Sequence, residues 1–142
     1  MNGEANGDLA AAREDMARVL VQEPELGDFG IGVFEPRRKT EAERPAALRA
    51  ERDRMLEPQS LEAFIASRRW LRQFNKTKAL SECGSSYGLK HVAAKDIGYV
   101  TNGVFIAAAA AEGFAIKRLS PTSPNVLLNI SRRAWKPVRT AQ

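Results

Sequence analysis

The hydrophobic pattern is organised around one stretch, GYVTNGVFIAAAAAEGF (98–114), whose residues Val104 to Ala111 are apolar without a break. A helix turns by roughly 100° per residue, so Val104, Phe105, Ile106 and Ala107 point to four different sides. A helix that is apolar all round is a buried helix. Eight such residues fall far short of the roughly 20 that span a bilayer. Thr101 or Asn102 can cap its start, and Gly113 supplies the left-handed residue that ends many helices. The pattern therefore predicts a central core helix in a small domain.

Weaker periodicities flank it. Asp8 is placed to cap a helix running to about Gln22, with Leu9, Met16, Val19 and Leu20 forming a thin apolar stripe. Residues 23–39 hold prolines, glycines and a short run, 29–34, able to dock, and read as a linker with an anchoring patch. Residues 40–57 are dense in charge, with Leu48, Met55 and Leu56 as the few apolar positions and Pro45 near the first turn. They predict a solvent-exposed helix. Pro58 reads as a domain boundary. Residues 1–57 are then a charged, partly helical or flexible extension, the less stable part of the chain, before a compact domain at 58–136 and a tail at 137–142.

Within that domain Ser60 is the expected cap of an amphipathic helix over 61–74. It has Leu61, Phe64, Trp70, Leu71 and Phe74 on one side and Arg68, Arg69 and Arg72 on the opposite edge. Residues 75–84 read as polar loop. Ser85 or Ser86 caps a helix from Tyr87 to about Ile97, ended by Gly98. After Gly113, Phe114 and Ile116 alternate with Ala115 and Lys117, and Pro121 to Asn125 is turn chemistry. This predicts a β-hairpin, 114–119 with 126–131. A helix starting at Ser123 and Pro124 is the rival reading. The expected fold class is mainly α, a small helical domain with a helix-turn-helix-like pair around the buried Ala-rich helix and a C-terminal β-hairpin.

Charge sharpens the picture. The net charge of +5 is split between −4 for residues 1–57 and +9 for residues 58–142. A basic half is a pointer to a polyanionic partner, although charge also serves solubility. The helix-turn-helix register wants a small residue, a turn glycine four positions on and a β-branched residue six positions later, and Ala94, Gly98 and Val104 meet it. Yet the second helix offers Asn102 and then only apolar groups, whereas reading base edges needs donors and acceptors. Nucleic-acid contact is therefore expected to be to phosphate, of low sequence specificity. The residues expected to make it are Arg68, Arg69, Arg72, Lys76, Lys78, Lys90, Lys95, Lys117, Arg118, Arg132 and Arg133. Arg37, Arg38 and Lys39 form a further basic triplet, read as solvated linker.

Other chemistry is thinner. Residues 84–90, GSSYGLK, imitate a phosphate loop, but the glycine spacing is one short and Leu89 intervenes before the lysine. Nothing brings the lone Cys83 and the lone His91 together as nucleophile and base, and two such ligands fall short of a zinc site. Four acids in the basic half argue against a carboxylate nuclease. The expectation is a non-enzymatic protein with neither cofactor nor metal. One cysteine and the lack of a basic-then-apolar N-terminal stretch suggest the cytoplasm. The alternative function is a protein-interaction module, an adaptor or inhibitor of a larger nucleoprotein complex, with Trp70, Trp135 and Tyr87 as candidate anchors.

Residues 60–135, above all SSYGLKHVAAKDIGYVTNGVFIAAA followed by SPNVLLNIS, resemble small uncharacterised proteins of proteobacterial genomes, often associated with plasmids and integrated elements. The resemblance covers roughly the C-terminal 55% of the chain. It implies a bacterial setting and an accessory role in mobile-element biology, and transfers no activity to any residue.

Overall fold

A computed structural model describes residues 2–32 and 40–136. In chain order its elements are α1 (Asn2–Gln22), β1 (Leu26–Gly27), β2 (Gly30–Ile31), α2 (Arg44–Met55), α3 (Pro58–Leu71), α4 (Ser86–Ile97), α5 (Asn102–Ala111), β3 (Ile116–Arg118), β4 (Val126–Leu128) and a 3-10 turn (Arg132–Trp135). The fold is mainly helical with two small antiparallel strand pairs, as the pattern predicts.

The apolar run sits where its composition requires. Helix α5 is buried from Asn102 to Ala109 and packs on α3, α1 and α4 while touching β1, β2 and β3. Thr101 caps it, its Oγ1 accepting from the Val104 N–H at 3.1 Å. Gly113, at φ 86°, lets the chain leave in the left-handed region. The α4–α5 turn pivots on Gly98, φ 85°. The helix-turn-helix register thus marks a real pair of helices, but the second one is enclosed on every side and offers no surface for base reading. The hairpin forms with Ile116 opposite Leu128, Lys117 opposite Leu127 and Arg118 opposite Val126. Val126, Leu128 and Ile130 are buried, so the rival helix from Ser123 does not form.

Three local expectations change. Helix α1 begins at Asn2, placing Asp8 inside it and not at its cap. The first helical residue of α3 is Pro58, which has no N–H to leave unpaired, and Ser60 Oγ instead donates to the Arg54 carbonyl at 2.7 Å. In the 23–39 segment Leu26 is fully buried; of the run read as able to dock, Ile31 packs against the core, Phe29 is half exposed, and 33–34 lie outside the described residues. Arg37, Arg38 and Lys39, like the tail at 137–142, lie outside the described residues.

Pro58 does not divide the core. Ala12, Met16, Val19 and Leu20 of α1, Leu26 of β1 and Met55 of α2 belong to the same apolar cluster as α3 and α5. Helix α2 buries only Glu51 and Met55 and is held largely by polar ties. The Arg52 guanidinium donates to the carbonyls of Glu23 at 3.0 Å, Pro24 at 3.1 Å and Leu26 at 2.8 Å, and also to Leu20. It thereby adds a donor to carbonyls at the end of α1 and in the following turn. Arg13 donates to the Leu56 carbonyl at 2.7 Å. No described helix is long and apolar enough to cross a membrane.

Candidate functional site

The eleven candidate cations do not form one stripe. Of the three on α3 and its C-cap, two are occupied by acids. Arg68 donates from Nε to Glu112 at 2.6 Å and from a terminal nitrogen to Asp15 at 2.6 Å. Arg72 Nε meets the second Glu112 oxygen at 2.9 Å. The Arg68 hydrogen bond holds the Asp15 carboxyl below its usual range. Burial alone would raise Glu112, but hydrogen bonds from Arg72 and Arg68 outweigh it and lower that group too. This network joins α1, α3 and the end of α5, so Arg68 and Arg72 act as structural ties and not as a free ridge. Arg69 is exposed beside Asp8 and Glu62. Arg118 is also spent inside, its Nε donating to the Ser123 carbonyl at 2.7 Å. Lys95 and Lys117 are exposed on α4 and β3.

Four cations fall along one seam. The 75–84 loop is strapped along the end of the hairpin: Thr77 N–H to Asn129 O at 2.8 Å, Ser81 N–H to Leu128 O at 2.7 Å, and Ser131 N–H to Asn75 O at 3.0 Å. Lys76 pairs with Ile130 across this seam. The pairing is antiparallel, so Lys76 and Lys78 follow the seam in one direction, while Arg132 and Arg133 extend it in the other, opening the 3-10 turn capped by Ser131. All four are exposed. Lys76 Nζ stands 4.8 Å from the Phe114 ring centre, and the Arg133 guanidinium 5.9 Å from that of Phe74. These ring faces orient the cations without neutralising them. Glu82 is the acid bordering the small hollow that Thr77 and Arg132 share.

The phosphate-loop imitation has a packing origin. Gly84 and Gly88 seat the Trp135 indole, and a methyl on them would stand 3.0 Å and 3.4 Å from its ring. Cys83 is exposed in the loop, and His91 packs edge-on against Tyr87 at 4.6 Å between ring centres. Among the described residues no group of three or more His, Cys, Asp or Glu is arranged to hold a metal ion. Of the candidate anchors, Trp70 is core, donating from Nε1 to Asp96 at 2.8 Å.

Lys90 departs most from its expected place. The helical wheel puts it on the polar side of α4, yet it is only 7% exposed. It lines a hollow of about 580 Å³ formed between α4, the α4–α5 turn, the β1–β2 turn and the hairpin loop. Its ammonium lies 5.0 Å from the ring centre of Tyr87 and 5.7 Å from that of Tyr99. Burial holds its pKa below the ordinary lysine value.

The floor of this hollow is a polar node that sequence reasoning missed. Buried Asn102 donates to the Phe29 carbonyl at 3.0 Å and to Asn125 Oδ1 at 2.9 Å, and accepts from Ser86 Oγ at 3.0 Å. Ser86 in turn accepts from the Val126 N–H at 3.1 Å. Thr101 donates to Asp28 Oδ1 at 2.8 Å. The one signal in the sequence was a polar residue heading an otherwise apolar helix, which reads equally well as a cap. Comparison with protein-family models, with curated proteins and with solved structures finds no match for this chain.

Proposed function

We propose that this protein is a non-enzymatic accessory that associates with nucleic acid through the phosphate backbone, using Lys76, Lys78, Arg132 and Arg133. The observation carrying this reading is the strapped 75–84 loop, which bears Lys76 and Lys78 on an antiparallel seam that Arg132 and Arg133 extend, all four exposed and without an ion-pair partner among the described residues. Each phosphate neutralised on duplex DNA contributes about −0.9 to the slope of log K against log salt concentration. Contacts from side chains alone, with α5 enclosed, favour binding of low sequence discrimination.

The test is a gel-shift titration at several salt concentrations. It compares the wild type with a variant carrying Lys76→Gln, Lys78→Gln, Arg132→Gln and Arg133→Gln, and with Arg69→Gln as control. The quadruple variant is expected to lower the magnitude of the salt slope by about 3–4, with circular dichroism unchanged and the control equal to wild type. Absence of retardation by the wild type at low salt, or an unchanged slope in the quadruple variant, removes the reading.

A further inference from the structure

A buried lysine is rare unless a carboxylate or hydrogen-bond acceptor compensates it. Lys90 is more than nine-tenths buried, and among the described residues no acid or carbonyl takes its ammonium. Only the faces of Tyr87 and Tyr99 attend it. The acid that also lines the hollow, Asp28, is engaged by the Thr101 hydroxyl at 2.8 Å and lies 3.6 Å from Arg54, so no carboxylate pairs with the Lys90 ammonium. Its volume of about 580 Å³ lies in the range of small-molecule sites. Tyr87 and Tyr99 nevertheless expose 52% and 80% of their surfaces. Two tyrosines left open beside a sheltered cation offer a ring-stacking wall and an anion-binding point together.

We propose that this hollow binds a small organic anion built on a planar ring, its carboxylate or phosphate group meeting the Lys90 ammonium and its ring lying against Tyr99. Lys90 anchors the charge, Tyr99 and Tyr87 supply the apolar wall, and the node at Asn102 holds the floor rigid. The site is separate from the cationic seam, and binding there does not depend on nucleic-acid association.

The test uses phenyl phosphate and benzoate as probes, with inorganic phosphate and phenol as half-ligands. Binding is followed by isothermal titration and by saturation-transfer NMR. Saturable binding of at least one ring-bearing anion is expected, at least tenfold tighter than either half-ligand. Lys90→Met should weaken it at least tenfold and Tyr99→Ala several-fold, while exposed Lys95→Gln leaves it unchanged. Because Lys90 is held in its charged form against desolvation, Lys90→Met is also expected to unfold at or above the wild-type temperature. Failure of both ring-bearing anions to saturate at about 10 mM overturns the proposal. So does equal binding by Lys90→Met, or inorganic phosphate binding as tightly as phenyl phosphate. A lower unfolding temperature for Lys90→Met with probe binding intact assigns Lys90 to packing alone, and likewise overturns it.

Discussion

Gly103→Ala is expected to be among the most damaging single-methyl additions in the molecule. Gly103 lies in the first turn of α5 against β1, and a β-carbon built there would stand 1.9 Å from the Gly27 carbonyl oxygen and 2.8 Å from two backbone atoms of Asp28. That wall is main chain, so no side chain can swing aside. The contact is roughly 1 Å closer than real β-carbons tolerate, so the β1–β2 turn must withdraw by about that distance. Withdrawal stretches the Gly103 N–H to Asp28 O bond, now 3.0 Å, and the Thr101 to Asp28 bond, now 2.8 Å. Overpacking of this kind costs about 1–3 kcal/mol and each weakened bond about 1 kcal/mol. The better helix propensity of alanine returns at most about 1 kcal/mol. The net loss is about 2–4 kcal/mol, or roughly 6–12 °C in Tm for a chain of this length. Gly7→Ala is the internal control: Gly7 lies in α1 with nothing near its would-be methyl, and the change should raise Tm by about 2–3 °C. Scanning calorimetry reads both, and a Gly103→Ala protein melting within a degree of wild type would refute the close approach of β1 and α5.

Further outcomes follow from the polar ties. Arg52→Lys keeps the charge but cannot span four carbonyls, so urea unfolding should show a loss of about 2–3 kcal/mol; a wild-type midpoint would mean the fork is dispensable. The Asp15 and Glu112 pKa values lie below their unfolded values, so their stabilisation is present above those unfolded values and is lost as pH falls through the folded ones. The urea midpoint of the wild type should therefore drop between about pH 5 and about pH 3, and Arg68→Met should flatten that drop while costing about 1–3 kcal/mol at pH 7, since the pair is partly exposed. Glu51 runs the other way: burial raises its pKa, which destabilises the fold above the folded value and not below the unfolded one. Glu51→Gln should thus equal or exceed wild-type stability at pH 7, with the advantage fading by about pH 4; a loss that is constant with pH would contradict this.

The sequence makes the centre of the fold legible because composition alone decides it. Nothing other than burial suits Val104 to Ala111, and Thr101 and Gly113 mark its ends. The edges are less legible because they depend on partners distant along the chain. Helix α2 has almost no apolar face, and hydropathy cannot register an attachment made by guanidinium and carbonyl groups, so its dependence on Arg52 is invisible before folding. Likewise Arg68 and Arg72 look like a free ridge until Asp15 and Glu112 arrive from two other helices. Lys90 looks solvated on the wheel of α4 because Tyr99 and the Asp28 turn, which close round it beside Tyr87, come from outside that helix. Of the eleven candidate cations, those on the 75–84 strap and the 3-10 turn share a seam because of backbone pairing that no side-chain periodicity announces.

The seating of Trp135 on bare glycine has a practical consequence. Its indole nitrogen finds no partner among the described residues, while that of Trp70, a core residue, is bonded to the exposed Asp96 of α4. The chain therefore carries two native emitters in contrasting surroundings, one reporting on the C-terminal turn and one on the centre. Exchanging either for phenylalanine isolates the signal of the other. The sequence in which the two regions come apart under denaturant is then readable from emission wavelength and quencher access, without attaching a dye.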